Sequence, residues 1–104
     1  MLTFNKLEWD LGDVKFTTTR EFSVEITNNS DIPTVVNNSG SSCSCTTGRM
    51  DKNPIPANGK QNFIVMFNSN KAGRGSQVKN ITLNWEYEGH RFSQMIKFKV
   101  NVVN

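Results

Sequence analysis

The chain of 104 residues has little of what enzymes and metal sites usually need. It contains a single histidine, His90, and only two cysteines, Cys43 and Cys45. His90 has no candidate nucleophile beside it in the sequence. Catalysis by acid–base or nucleophilic chemistry requires two or three groups held within mutual reach. The sequence therefore argues against an enzyme, and no catalytic residue is predicted.

Long hydrophobic runs are also missing. No apolar stretch approaches the roughly 18 residues that a membrane-spanning helix needs, and the mean hydropathy is −0.50. The opening residues, MLTFNKLEWDLGD, lack a basic segment followed by an apolar one, so no signal peptide is predicted. Gly73 and Gly75 flank Arg74 without the strand-to-helix transition of a phosphate-binding loop. We expect a single domain over residues 1–104, with no membrane span and no cofactor.

The dominant pattern is an alternation of apolar and polar residues, which is typical of half-buried β-strands. It runs through residues 22–27, 81–87 and 96–102, with a shorter version over residues 7–11. Residues 62–68 are apolar on both faces, which indicates either a central covered strand or one that meets a partner. Asn- and Gly-rich turns separate these runs. The sequence predicts an all-β, immunoglobulin-like β-sandwich of about seven antiparallel strands.

The inward positions of these alternations define the expected core. It comprises Trp9, Phe22, Val24, Ile26, Phe63, Val65, Phe67, Ile81, Leu83, Trp85, Ile96, Phe98 and Val100.

The local motif that stands out is Ser-Cys-Ser-Cys-Thr-Thr at residues 42–47. In an extended strand, Cys43 and Cys45 would point to the same side about 6.6 Å apart, at the far edge of disulfide geometry. We therefore predict that both thiols are reduced, partly buried and free of metal. The alternative is a soft-metal site such as Cu(I). For that site His90 would be the third strong donor, and a structural zinc ion would still lack a fourth.

Charge is distributed unevenly along the chain. Residues 1–48 carry three basic and six acidic side chains, whereas residues 49–104 carry nine basic and three acidic ones. Oppositely charged halves could meet copies of the chain or a charged partner, and the alternative is an ordinary solvated surface. Three basic residues cluster, Lys71, Arg74 and Lys79. Three charges give only weak, salt-sensitive binding to phosphates, and the aromatic residues fall on core positions, so no nucleic acid partner is expected.

Loops on a rigid sandwich usually carry its contacts. The candidate partner-contact residues are therefore Lys71, Arg74 and Lys79 in the basic loop, and Asn29 and Asp31 in an Asn-rich turn.

Taken together, several segments resemble a known family. The chain is similar to short bacterial immunoglobulin-like domains of unknown function whose hallmark is a strand-borne Cys-x-Cys-Thr-Thr, and which are related in topology to major-sperm-protein domains. The resemblance extends over about residues 7–102. The segments that carry it are LEWDLGDV (7–14), VEITNNS (24–30), SCSCTT (42–47), IPANG (55–59) and FIVMFN (63–68).

The resemblance implies no catalytic residues and an envelope location, because family members usually follow a secretory or lipoprotein signal. Immunoglobulin-like proteins of this size without a signal are common among bacteriophage virion proteins. The sequence-based hypothesis is therefore a non-enzymatic structural protein of a phage virion that decorates the capsid through contacts with capsid or other virion subunits. The alternative is an interaction module of the bacterial periplasm or envelope, with copper bound through the Cys-x-Cys pair.

Overall fold

The computed structural model describes the backbone of residues 1–104 and every side chain except that of Ser39. Eight strands and one short turn of 3₁₀ helix, Ser69–Lys71, make up its regular structure. The strands are β1 (Leu2–Phe4), β2 (Glu8–Lys15), β3 (Thr19–Asn28), β4 (Asn37–Ser41), β5 (Thr46–Met50), β6 (Lys60–Asn68), β7 (Gly75–Tyr87) and β8 (His90–Val103). No helix in the described part of the chain is long and apolar enough to span a membrane.

The strands form two four-stranded sheets packed face to face, which confirms the predicted immunoglobulin-like sandwich. Sheet A has the order β1-β3-β6-β5, and sheet B has the order β2-β8-β7-β4. The prediction of purely antiparallel pairing is wrong for one pair, because β2 runs parallel to β8. After β2 the chain crosses to sheet A instead of turning back as a hairpin. In sheet B, β2 pairs in parallel with the edge of β8 that faces away from β7.

The core lies between the sheets and is built from the inward residue of each alternation. Every predicted core residue is buried except Trp9, which is half-buried. Trp9 stacks on Phe22 with ring centroids 4.7 Å apart, and Phe22 and Phe67 each meet Phe98 edge to face. The structure also buries Val36 and Ile55, which lie outside any run of alternation and were not predicted to be in the core. Period-two alternation therefore located most of the core but not its loop-borne members.

The sandwich is long and narrow, with a greatest extent of 48 Å. Its upper end holds Met1, the loops of residues 29–36 and 51–59, and the β7–β8 hairpin. Its lower end holds the turn of residues 16–18 and the segment of residues 69–74. Because β7 runs from one end to the other, its 13 residues place the two ends roughly 40 Å apart.

The β7–β8 hairpin closes with a tight turn at the upper end. Tyr87 pairs with His90, so Glu88 and Gly89 form a two-residue turn. Both have positive φ, 50° and 77°, as a type I′ turn requires. The tight turn keeps β7 and β8 in register along their whole length.

Candidate functional site

The upper part of β7 has a free edge. On one side β7 pairs with β8 along its full length. On the other side it pairs with β4 only from Ile81 to Asn84, whose partner is Asn37, the first residue of β4. The residues above Asn84 therefore have no strand beside them on that side.

The backbone of Glu86 points toward this free edge. The main-chain carbonyl of Asn80 accepts a hydrogen bond from the N–H of Ser42, on the β4 side, at 3.1 Å. Backbone groups of alternate residues in a strand face the same side, so the N–H and carbonyl groups of Asn84 and Glu86 also face the β4 side. Asn84 lies opposite Asn37, whereas the N–H and carbonyl of Glu86 have no hydrogen-bond partner among the described residues.

The edge is free because the chain before β4 is held by a different part of the molecule. Thr34 and Ile55 exchange two backbone hydrogen bonds, of 3.0 and 2.8 Å. The Asn53 carboxamide accepts from the N–H of Val36 at 3.1 Å and donates to its carbonyl at 2.9 Å. These four bonds tie residues 34–36 to the loop before β6 instead of to β7.

A groove opens where these two segments part. Its volume is about 490 Å³. One wall is formed by residues 33–35, and the other by upper β7 with Arg91 of β8. Val35, on the first wall, is 51% exposed although it is aliphatic. Trp85, a lining residue of the second wall, is buried, and its indole N–H has no acceptor among the described residues. The groove thus combines an exposed apolar residue with the unpaired backbone of Glu86.

Acidic side chains surround the hairpin beside the groove. The Glu88 carboxylate accepts a hydrogen bond from the Tyr87 hydroxyl, which raises the pKa of the Tyr87 phenol. The negative charges of Glu88 and of Asp31 in the neighbouring loop raise this pKa further. Glu86 forms an exposed ion pair with Arg91 at 3.4 Å, which contributes little stability at such exposure.

A buried asparagine organises the loop on the groove's first wall. Asn28 has no solvent exposure. Its amide nitrogen lies 2.9 Å from the Ile32 carbonyl and 3.2 Å from the Ile55 carbonyl, and its oxygen accepts from the hydroxyl of Ser30 at 2.7 Å. The sequence predicts a solvated turn here, and this buried network was missed. An asparagine at the inward phase of the β3 alternation is the signal that could have found it.

The candidate contact residues do not form one surface. Asn29 and Asp31 lie at the upper end, whereas Lys71 and Arg74 lie at the lower end, roughly 40 Å away by strand rise. Lys79 is half-buried on lower β7. If both sets bind partners, they do so as two separate sites, and their roles stay predictions.

The lower end is closed by its own side chains. Arg74 lies 4.2 Å above the Phe16 ring and also donates a hydrogen bond to Asn104. The Ser69 hydroxyl is fully buried, accepts from the N–H of Thr18 at 2.9 Å, and lies 2.9 Å from the Lys15 carbonyl. The backbone groups around the turn of residues 16–18 are therefore largely satisfied from within.

The oppositely charged halves of the sequence do not form opposite faces of the molecule. In the parallel β2–β8 pair, Glu8 lies beside Lys97 and Asp10 beside Lys99. Glu25 of β3 pairs with Lys60 of β6 at 3.7 Å. Folding thus interleaves the acidic first half with the basic second half, because their strands are neighbours. The two halves therefore do not present two separate charged surfaces, and the expectation that they meet copies of the chain or a charged partner stays a prediction.

The Cys-x-Cys motif lies in a turn and not in a strand. Cys43 and Cys45 fall between β4 and β5, where the chain crosses from sheet B to sheet A. The turn, closed by a Thr46 N–H to Cys43 carbonyl hydrogen bond of 3.1 Å, brings the two Cα atoms to 5.1 Å. At that separation a disulfide is possible, and the two cysteines form one. The prediction of reduced thiols is wrong because it assumed extended backbone.

The alternative copper site is likewise not assembled. Thiolates are the ligands that soft metals require, and a disulfide offers none. His90 pairs with Tyr87 at the upper end of β7. The motif lies near Asn80 of the same strand, whose carbonyl accepts from the N–H of Ser42. Tyr87 is seven residues from Asn80, so His90 is about 23 Å along the strand from the two cysteines. Within the described residues no cluster of three or more His, Cys, Asp or Glu side chains could hold a metal ion.

Comparison with known families identifies the chain. A family model described as "Protein of unknown function (DUF1573)" matches residues 2–102. The chain belongs to the DUF1573 family. This confirms the expectation of a family of unknown function that covers nearly the whole chain. No curated protein sequence matches it.

Solved structures show the breadth of the fold. The ASH / PapD-like domain of human CEP192 (PapD-like domain 7) aligns with a TM-score of 0.77 at 10% identity, covering 99% of this chain and 85% of that one. The YadV chaperone aligns with a TM-score of 0.70 at 13% identity, covering 99% of this DUF1573 chain and 52% of the chaperone. A family 123 glycoside hydrolase from Clostridium perfringens aligns with a TM-score of 0.68 at 10% identity over 93% of this chain, which spans only 23% of the hydrolase. Together they establish a PapD-like, immunoglobulin-like fold.

Proposed function

We propose that this DUF1573 chain is a non-catalytic protein-binding module that captures an extended segment of a partner on the free edge of β7. The observation that carries the proposal is the backbone of Glu86, which faces a groove with no hydrogen-bond partner among the described residues. A strand edge of this kind is a template for another strand. Main-chain hydrogen bonds would supply affinity, and pockets for alternate side chains would supply specificity.

The groove selects the kind of segment. Val35, which lines the groove and is 51% exposed, favours an apolar side chain in the bound segment, and side chains on the same face of that segment recur at every second position. The charge of Glu86 is paired with Arg91, so it is Asp31 and Glu88 around the hairpin that favour basic residues beside them. The expected ligand is therefore a short extended peptide of alternating apolar residues with flanking lysine or arginine.

The Cys43–Cys45 disulfide bears on where this binding takes place. Disulfides persist in oxidising compartments and are rare in the cytosol. The disulfide therefore supports the bacterial periplasm or envelope as the setting of the module. No part of the proposal requires catalysis.

Capsid decoration in a phage virion is a second candidate function. Its support is the basic lower end, where Lys15, Arg20, Lys71 and Arg74 could meet an acidic capsid surface. This candidate is tested by co-migration of the chain with purified capsids at low and raised salt. Binding that weakens with salt would support it, and no co-migration at either salt concentration would contradict it.

The edge-binding proposal is tested with peptides selected from a random-sequence library against the whole chain. Glu86→Pro removes the N–H that faces the groove, while the bonds to β8 stay intact because the Glu86 backbone points away from β8. Glu86→Ala is the matched control, since it removes the carboxylate and keeps the N–H. We expect Glu86→Pro to weaken peptide binding about tenfold or more, from a lost backbone hydrogen bond and ring clash, and Glu86→Ala to weaken it less than threefold. Equal effects of the two substitutions would overturn the proposal.

A further inference from the structure

The second feature of the molecule that calls for a function is the disulfide in the turn between β4 and β5. It encloses a single residue, Ser44. Cross-links stabilise a fold mainly by shortening the unfolded chain, and the gain grows with the length of the enclosed loop. A link across one residue is therefore poorly suited to holding the fold together. We propose that the Cys43–Cys45 disulfide is a thiol–disulfide exchange site for a partner that carries a dithiol.

The two sulfurs are unequal in a way that directs exchange. Cys43 is half-buried, whereas Cys45 is 1% exposed. An incoming thiolate therefore reaches the sulfur of Cys43. The same sulfur accepts a hydrogen bond from the N–H of Cys45 at 3.1 Å. A hydrogen bond to sulfur stabilises the thiolate form, so it helps Cys43 to leave when the partner's second thiolate resolves the mixed disulfide.

The structure also places a hydrogen-bond donor beside Cys45, the sulfur that leaves when the disulfide is attacked. The sulfur of Cys45 lies 3.4 Å from the hydroxyl of Thr46, which is itself buried. Once the disulfide opens, that hydroxyl can donate to the Cys45 thiolate. A stabilised thiolate leaves faster.

The turn does not depend on the disulfide for its shape. The Thr46 N–H donates to the carbonyl of Cys43 at 3.1 Å, and the N–H of Asn68 in β6 donates to the carbonyl of Cys45 at 2.8 Å. The Ser41 hydroxyl lies 2.6 Å from the carbonyl oxygen of Cys43 and 2.8 Å from that of Thr46. These contacts remain after reduction, so both thiols stay in place for the bond to form again.

The exchange balances as two successive displacements. The partner's first thiolate attacks the sulfur of Cys43, an S–S bond forms between them, and the electron pair of the broken bond leaves on Cys45, which takes up a proton. The partner's second thiolate then attacks the partner sulfur of this mixed disulfide and releases Cys43 as a thiolate, which takes up the second proton. The chain gains two electrons and two protons, and the partner dithiol is oxidised to a disulfide. This activity is separate from the groove, which lies on upper β7.

The asymmetry is tested on the full chain with two single variants. Cys45→Ser leaves the half-buried thiol and Cys43→Ser leaves the buried one, so each is the matched control of the other. With 5,5′-dithiobis(2-nitrobenzoate) as the disulfide probe, we expect Cys45→Ser to react about tenfold faster or more, because access controls the rate. Equal rates, or faster reaction of Cys43→Ser, would overturn the assignment.

The reversibility is tested on the unmodified chain with dithiothreitol as the dithiol. We expect the disulfide to open without denaturant, as seen by alkylation and mass spectrometry, with the Tm lowered by less than about 5 °C. Reoxidation should restore the starting mass. A disulfide that opens only after unfolding, or a reduced chain that loses its folded circular dichroism spectrum, would show a structural link and refute the proposal.

Discussion

The two ends of the sandwich close in different ways. At the lower end, Ser69 and Arg74 bind the neighbouring turns, and side chains of the molecule itself cover the strand ends. At the upper end, Asn28 hydrogen-bonds to both upper loops, through the carbonyls of Ile32 and Ile55. These bonds join the loops to each other and to β3, and not to the edge of β7. The strand edge beside them is left open at Glu86.

The difference shows that a well-ordered end is not the same as a paired one. The hydrogen bonds that hold residues 34–36 against the loop before β6 are the same bonds that keep these residues off β7. The upper loops are thus fixed in a position that exposes the edge. In this account, stability and binding at the upper end come from one network, whereas the lower end contributes stability alone.

The largest effect is expected from Asn28→Ala, which would break the upper network. Its removal takes one donor from each of the carbonyls of Ile32 and Ile55, and it leaves the buried N–H of Ser30 without its acceptor, the Asn28 side-chain oxygen. We expect the free energy of unfolding to fall by about 3 kcal/mol, and peptide binding in the groove to weaken as well. Urea denaturation measures the first, with the exposed Asn29→Ala as control, expected within about 0.5 kcal/mol. A loss below 1 kcal/mol would mean that this network does not hold the loops.

Ser69→Ala makes the equivalent change at the lower end. The substitution removes the acceptor for the N–H of Thr18 and a donor to neighbouring carbonyls. We expect a loss of about 1–2 kcal/mol in the free energy of unfolding, again by urea denaturation. The exposed Ser76→Ala is the control. Peptide affinity should stay within twofold of the wild type, and a larger change would break the distinction between the two ends.

The smallest effect is expected from Arg74→Ala. It removes the contact of the guanidinium with the Phe16 ring, which lies 4.2 Å away. A cation–π contact at an exposed site contributes about 0.5–1 kcal/mol. Lys71→Ala, at the same end but without a ring partner among the described contacts, should change stability by less than about 0.5 kcal/mol. If the two substitutions cost the same, Arg74 does not help to close the lower end.

Much of the fold could be predicted because most of its strands have a recognisable local sequence pattern. In β3, β7 and β8 one face is buried and the other is wet, and period-two alternation reports this directly. The β4 strand, Asn37–Ser41, reads NNSGS. It has no alternation to detect, since its strand form comes from pairing with β7 and not from its own side chains. Local pattern could not reveal it.

The groove beside Glu86 was harder to predict because it depends on where the pairing of β4 with β7 stops. Nothing in the residues around Glu86 distinguishes a paired edge from a free one, as this depends on Asn53 and Ile55 holding a distant segment. The Cys-x-Cys prediction failed for a related reason. Spacing in an assumed strand gave a separation of about 6.6 Å, and the turn shortens it to 5.1 Å.

Amide hydrogen exchange tests most directly whether β7 has a free edge at Glu86. The Asn84 amide is the internal control, because it faces the same side of β7 and lies opposite Asn37 of β4. In the free chain, measured by NMR, we predict that the Glu86 amide exchanges nearly as fast as that of Gly89 in the hairpin turn, while the Asn84 amide is protected about a hundredfold or more. Equal protection of Glu86 and Asn84 in the free chain would show that the edge is already paired and would contradict the account.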